Sequence, residues 1–384
     1  MSERQRKIAV LGLSYPFRGG IAHHSTLLVR ELRKKYTVKF FTLSRQYPER
    51  LFPGKSQYDI SDRGLAEENY ALIDSVNPAT WLRVAFALKR EKFDLVIVQW
   101  WNPFFAPAFG TIVNALTLIS DSKVCFLCHN VLPHESTLLD RLLSRYAFLR
   151  SKYFIVHSDE DRRHLLSMKP CALVKKNVHP TYAIFGDFAA YEKEQARREL
   201  GIAPDKKTLL FFGLVRPYKG LKYLIQAMER VSKSIDCVLL VAGEFYESKQ
   251  EYLGLIRELG LEGHIIIRDE YVKNEAVSLY FSAADVVVLP YVTATQSGIV
   301  QIAFGLNKPV ITTKVGGLAE AVEDGKTGFV VGPGSPEQLA EAILKFYQGN
   351  YETQFSQRIK EISHTFSWDA EVSSIESFLA DQST

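Results

Sequence analysis

The chain has 384 residues, too many for one ordinary core, so two domains of about 150–200 residues are the natural division. Hydrophobic residues make up 47% and charged residues 23%, with no low-complexity tract, the composition of a globular chain. A net charge of +4 is no nucleic-acid footprint, and no nucleic-acid partner is expected; it is compatible with anionic ligands or an anionic membrane surface.

The N-terminal "MSERQRKIAVLG" holds no secretory apolar stretch before a strand begins, and Cys125, Cys128, Cys171 and Cys237 lie in apolar strand-like runs. Both point to a reducing cytoplasm. In chain order the strand candidates of the first half are "KIAVLGL", "TVKFFTL", "DLVIVQW", "KVCFLC" and "YFIVHS", interleaved with helical patterns such as "AHHSTLLVRELRKK" and "STLLDRLLSRYAFLRSK". The "CFLCH" match to a haem-attachment pattern falls in a buried-strand run and is set aside. Residues 95–120 carry no charge, but Pro103, Pro107, Gln99, Asn102 and Asn114 break the run, so it reads as strand, aromatic loop and helix rather than a membrane span. The second half repeats the rhythm with "TLLFFG", "CVLLVAG", "HIIIRD", "DVVVLPY", "PVITT" and "GFVVG".

Strands apolar on both faces and separated by helices imply parallel sheets covered on both sides, and two such series imply an α/β protein of two Rossmann-like domains. The expected division is 1–185 and 186–365, with a helix over 366–384 packing back on the first domain. Ligands of open parallel sheets bind outside the carboxyl ends of the strands. That rule predicts an interdomain cleft lined by the strand-end loops.

After the first strand, Gly19 and Gly20 precede a helix whose free N–H groups suit a phosphate or other anion. After the third candidate, "WWNPFFAPAFG" sets Trp100, Trp101, Asn102 and Phe104 where they could stack on a sugar or meet a lipid acceptor. His129 opens the loop after "KVCFLC", a favoured place for a functional imidazole, with His134 less well placed. In the second half, Arg216 and Lys219 share a loop that Gly220 closes, a fork and a point charge suited to a diphosphate. Backbone groups around Tyr271 and Val272 could hold a nucleobase edge. Finally, Ser297 is placed to cap the helix "SGIVQIAFGL", turning the N–H groups of Ser297, Gly298 and Ile299 toward an anion.

With these pieces assembled, the chain resembles the group 1 retaining glycosyltransferases, glycosyltransferase family 4, of GT-B fold. The resemblance rests on "RGGIAHH", "CHN", "FFGLVRPYKGLKYLIQAM", "LLVAGE", "YFSAADVVVLPY", "GLNKPVITTKVGGLAEAVEDGKTGFVVGPGSPEQLAEAI" and "FSWDAEV", in family order over nearly the whole chain. It implies a nucleotide-diphospho-sugar donor, UDP- or GDP-linked, held mainly by the second domain, and a saccharide or lipid-linked acceptor on the first. Transfer with retention is implied, in surface polysaccharide or glycoconjugate synthesis, with no metal or other cofactor. Arg216, Lys219 and the Ser297 helix end would neutralise the departing diphosphate, and His129 would lie near the reacting sugar. A cytoplasmic enzyme docked on the inner face of the membrane is the implied setting, the "STLLDRLLSRYAFLRSK" helix being a candidate contact.

Two departures stand out. The family usually carries two glutamates eight positions apart before "KPVITT"; those places hold Ala294 and Ile302 here, or Thr295 and Ala303 one residue on. Thr295, Gln296, Ser297 and Gln301 then supply neutral donor contacts. The family's arginine after the strand glycine is Leu214, and Arg216 takes over its role. A nucleotide-sugar-binding partner subunit without catalysis, or a nucleotide-sugar epimerase or hydrolase, are the alternatives.

Overall fold

The structure is a computed structural model that describes residues 5–52, 56–62, 64–133 and 136–381. His134 lies outside the described residues. The chain divides into two compact units. One runs to His179 and takes up Ser367 onward; the other holds Pro180–Phe366 together with Ser61–Arg63. The division thus falls six residues before the expected 185/186, because Tyr182 belongs with the second core: its N–H donates to the Gln301 carbonyl at 3.2 Å.

The first unit is built on a seven-stranded sheet of order β3-β2-β1-β4-β5-β6-β7. Its strands are β1 (Lys7–Gly12), β2 (Thr37–Arg45), β3 (Tyr70–Asp74), β4 (Leu95–Trp100), β5 (Lys123–Cys128), β6 (Tyr153–Val156) and β7 (Leu173–Lys176). Every pairing is parallel. Alternate residues feed two cores: Ala9, Leu11, Val96, Val98 and Phe126 face one layer, and Ile8, Val10, Leu95, Ile97 and Leu127 the other. The final helix, Trp368–Ala380, inserts Val372, Ile375, Phe378 and Leu379 into the second of these. Burying four such side chains contributes roughly 1.5–3 kcal/mol each before entropy is counted, which anchors the helix on this sheet. Cys125 and Cys128 are free and buried inside β5, so the haem-like "CFLCH" is core strand.

β3 and β7 were not among the sequence candidates. Both are edge strands with largely exposed residues, so neither shows the continuous apolar run that marks a strand covered on both faces.

The second unit carries a six-stranded parallel sheet of order β10-β9-β8-β11-β12-β13. Its strands are β8 (Lys207–Phe212), β9 (Cys237–Ala242), β10 (Ile265–Arg268), β11 (Val286–Leu289), β12 (Val310–Thr313) and β13 (Gly328–Val331), the six that the apolar runs predict. In both orders the chain reverses beside the first strand of the unit, and the loops at that switch point carry the site.

Candidate active site

In the second unit the site grows from the loop after β8. The chain leaves the strand at Gly213, whose N–H donates to the Ala242 carbonyl at 2.8 Å. It then runs through Arg216 into a short 3₁₀ turn, Pro217–Lys219, that ends at Gly220. Gly220 has φ of 69° and sits so close to β11 that a Cβ would fall 2.0 Å from the Pro290 carbonyl oxygen. Only glycine fits there, and the tight turn tips Lys219 inward.

Lys219 is 8% exposed. Its Nζ lies 5.4 Å from the centre of the Tyr291 ring, and a Cβ on Gly213 would be 3.1 Å from that Nζ and 3.4 Å from Ile299 Cδ1. Those contacts set the ammonium beside the start of the helix Gly298–Gly305. Burial lowers the Lys219 pKa; Tyr218 opposes that shift and the Arg216 charge adds to it. No carboxylate pairs with Lys219 or Arg216 among the described residues, and the Arg216 guanidinium lies 4.8 Å over the Tyr246 ring.

Ser297 caps the helix as the sequence predicts, its Oγ accepting from Ile299 N at 3.3 Å and meeting Tyr291 Oη at 3.2 Å. One detail changes: the Ile299 N–H is spent on this cap, which leaves those of Ser297 and Gly298 for an anion. Thr295 and Gln301 are buried and Gln296 half-buried; Gln301 Oε1 and Gln296 Nε2 have no hydrogen-bond partner. Ala294 and Ile302 are buried. Tyr271 and Val272 are half-buried in the loop after β10.

In the first unit Gly19 and Gly20 are exposed and open the helix Gly20–Arg33; Gly19 has φ of 109° and no side chain caps the helix. The aromatic loop is corrected in part. Trp100 is fully buried between Phe126 and Phe148, its Nε1 donating to the Val131 carbonyl, so it is core and cannot touch an acceptor. It ends β4, where residues are covered on both faces. Trp101, Asn102 and Phe104 are half-buried, with Asn102 Oδ1 accepting from Phe104 N at 2.9 Å.

His129 is 5% exposed, and its Nε2 meets Gln99 Oε1 at 2.6 Å. Burial, helped by neighbouring histidines, holds its pKa well below the usual imidazole value. Those neighbours are His24, His157 and His179, which sequence reasoning missed. A signal was available: β5 pairs with β6 so that Cys128 faces Val156, placing His129 and His157 side by side one residue past the paired ends.

Two family models cover most of this architecture. Residues 206–349 match "Glycosyl transferases group 1" and residues 18–178 match "Glycosyltransferase Family 4". Each unit thus holds a stretch similar to a glycosyltransferase domain. It is 29% identical over 181 residues to an uncharacterized glycosyltransferase of Methanocaldococcus jannaschii, covering 46% of each chain. It is 32% identical over 196 residues to the D-inositol 3-phosphate glycosyltransferase of Corynebacterium glutamicum, 49% of this chain and 46% of the relative. The chain thus spans about half the length of the curated relatives it matches. Among solved structures, Anabaena HepE in complex with UDP superposes with a TM-score of 0.75 at 18% identity, over 98% of this chain and 99% of that one. Sucrose-phosphate synthase of Thermosynechococcus elongatus superposes with a TM-score of 0.74 at 18% identity, over 97% and 98%. The fold is GT-B. The family 4 match lies in the first unit and the group 1 match in the second.

Proposed function

We propose that the protein is a glycosyltransferase that moves a sugar from a nucleotide-diphospho-sugar, UDP-linked first, to a hydroxyl of a saccharide or lipid-linked acceptor. The observation that carries this is Lys219: a buried ammonium without a carboxylate partner among the described residues, beside a Ser297-capped helix start with Arg216 in the same loop. Holding such a charge dry costs stability, and a diphosphate is the ligand that repays it. The two domain matches and the UDP and UDP-glucose complexes of HepE support the same donor class.

In the proposed reaction the C1–O bond to the diphosphate breaks as the acceptor oxygen bonds to C1. The acceptor proton passes to the departing phosphate oxygen, with retention at C1. Lys219, Arg216 and the Ser297 and Gly298 N–H groups stabilise the charge growing on the leaving group, so the diphosphate needs no metal and the reaction no further cofactor. Thr295, Gln296 and Gln301 replace the family's carboxylates as neutral partners of sugar and ribose hydroxyls, while Tyr271 and Val272 flank the base. Trp101, Asn102 and Phe104 are the acceptor-side candidates.

No helix among the described residues is long and apolar enough to cross a membrane. The helix Leu138–Phe148 does expose Leu138, Leu139 and Leu142, with Leu149 just beyond, beside exposed Arg141, Arg145, Arg150 and Lys152. That pairing supports a cytoplasmic enzyme resting on an anionic bilayer that carries its acceptor, in surface glycoconjugate synthesis.

Calorimetric titration with UDP, GDP and ADP, followed by NDP-sugar turnover with lipid and saccharide acceptors, tests the reading. UDP binding with acceptor-dependent release of UDP is expected. Tight binding with no turnover on any acceptor would make the protein a binding subunit, and no nucleotide binding would end the proposal.

A further inference from the structure

We propose that His24, His129, His157 and His179 form a four-coordinate site for a divalent transition-metal ion, zinc first, that ties the C-terminal helix to the first unit's sheet. One ring nitrogen from each lies within 4.8 Å of the others, and all four side chains are buried. A tetrahedral ion with metal–nitrogen bonds of about 2.0–2.1 Å needs nitrogens about 3.3 Å apart, so each would move less than about 1 Å.

The tautomers are already arranged for ligation. His157 Nδ1 donates to the Asn177 carbonyl at 3.0 Å, which leaves Nε2 as a lone pair with no hydrogen-bond partner. His129 Nε2 donates to Gln99 Oε1, turning Nδ1 free to bind. His24 Nε2 lies 3.1 Å from Glu371 Oε1 with no hydrogen bond between them, and both ring nitrogens of this fully buried side chain are without a hydrogen-bond partner. Two imidazoles, His129 and His157, thus each hold one nitrogen on an oxygen, the outer-sphere pattern that fixes and strengthens histidine ligands.

Charge points the same way. Glu371 is wholly buried, accepts from Asn177 Nδ2 with Oε2 at 2.8 Å, and faces these rings with no lysine or arginine paired to it among the described residues. A divalent ion among the four rings would place a positive charge beside that carboxylate.

Each ligand comes from a different place in the chain. His24 lies on the helix after β1, His129 and His157 directly follow β5 and β6, and His179 follows β7. Glu371 and Trp368, whose ring centre is 5.0 Å from that of His24, belong to the final helix. Four protein ligands close the coordination sphere, which is the structural rather than the catalytic form of a zinc site. The diphosphate chemistry proposed above is independent of this ion.

The test uses the full chain without a polyhistidine tag, its metal content measured by plasma mass spectrometry after dialysis. About one zinc per chain is expected, and Co(II) added to chelated protein should give the intense visible bands of a four-coordinate ion. His157→Gln should lose the metal. Glu371→Gln should keep one ion per chain with affinity weakened about 10–100-fold. His23→Gln, one residue from His24 but outside the cluster, should change neither. Should the His157 variant fail to fold, the Co(II) spectrum of the wild type decides alone. A chelated wild type that takes up neither Zn(II) nor Co(II), and whose melting temperature ignores both, would overturn the site and leave a hydrogen-bonded core.

Discussion

Lys219 is where the cost of function is concentrated in a single side chain. Its ammonium is buried against Tyr291 and Gly213 with no carboxylate partner among the described residues, so the protein without ligand holds a charge that its surroundings do not neutralise. Lys219→Met keeps the length and apolar stem but removes the charge. The unliganded variant should be at least as stable as wild type, because no desolvation cost remains. Its affinity for UDP should fall roughly 10–150-fold, the loss of one charge-assisted contact of about 1.5–3 kcal/mol. Thermal melts and calorimetric titration read the two sides separately. Unchanged UDP affinity would remove Lys219 from the site.

Among the elements, the helix Lys193–Glu199 depends on one buried carboxylate. Asp285 Oδ1 accepts from Lys193 Nζ and Arg197 Nη2 at 2.7 Å each, and Oδ2 from Thr208 N at 2.7 Å and Tyr347 Oη at 3.2 Å. Burial pushes the Asp285 pKa up, but Lys193, the Thr208 N–H and Arg197 outweigh it and leave it below 3.8. The folded pKa is the lower one, so the stability it contributes is present above 3.8 and is lost as pH falls through the folded value. Asp285→Ala strands Arg197 in the interior and should cost about 3–5 kcal/mol at pH 7, with a smaller difference below pH 3. Urea melts at the two pH values check this; an equal difference at both would contradict the assigned charge state. A buried ion network leaves no periodic signature, so this helix does not stand out in the apolar pattern of the sequence. The interior strands were legible because they are apolar on both faces, whereas β3 and β7 were hidden by their exposed edges. The Ser297 cap and the Gly220 turn were legible from local chemistry. The histidine cluster was not, because its members are separated by up to 155 positions (179 − 24) and meet only when the helix after β1 packs beside the ends of β5, β6 and β7.

For the whole molecule, two sheets with separate cores make two sources of cooperativity, and a ligand confined to one should move one transition. The chain offers a built-in reporter for telling them apart. Its four tryptophans are Trp81, Trp100, Trp101 and Trp368, all in the first unit, while the cations proposed to hold the diphosphate are all in the second. Tryptophan emission therefore follows the first unit, and calorimetry follows both. UDP at about 100 times its dissociation constant adds roughly 2.7 kcal/mol to the state that binds it. The calorimetric component without a matching tryptophan transition should rise by several degrees with UDP, and the tryptophan transition should move less. A chelator should act in the opposite sense, lowering the tryptophan transition if the histidine site holds an ion. If UDP raised the tryptophan-reported transition as much as the other, the nucleotide would not be bound by the second unit alone, and the assignment of donor binding to Lys219, Arg216 and the Ser297 helix would have to be shared with the Gly19–Gly20 helix start.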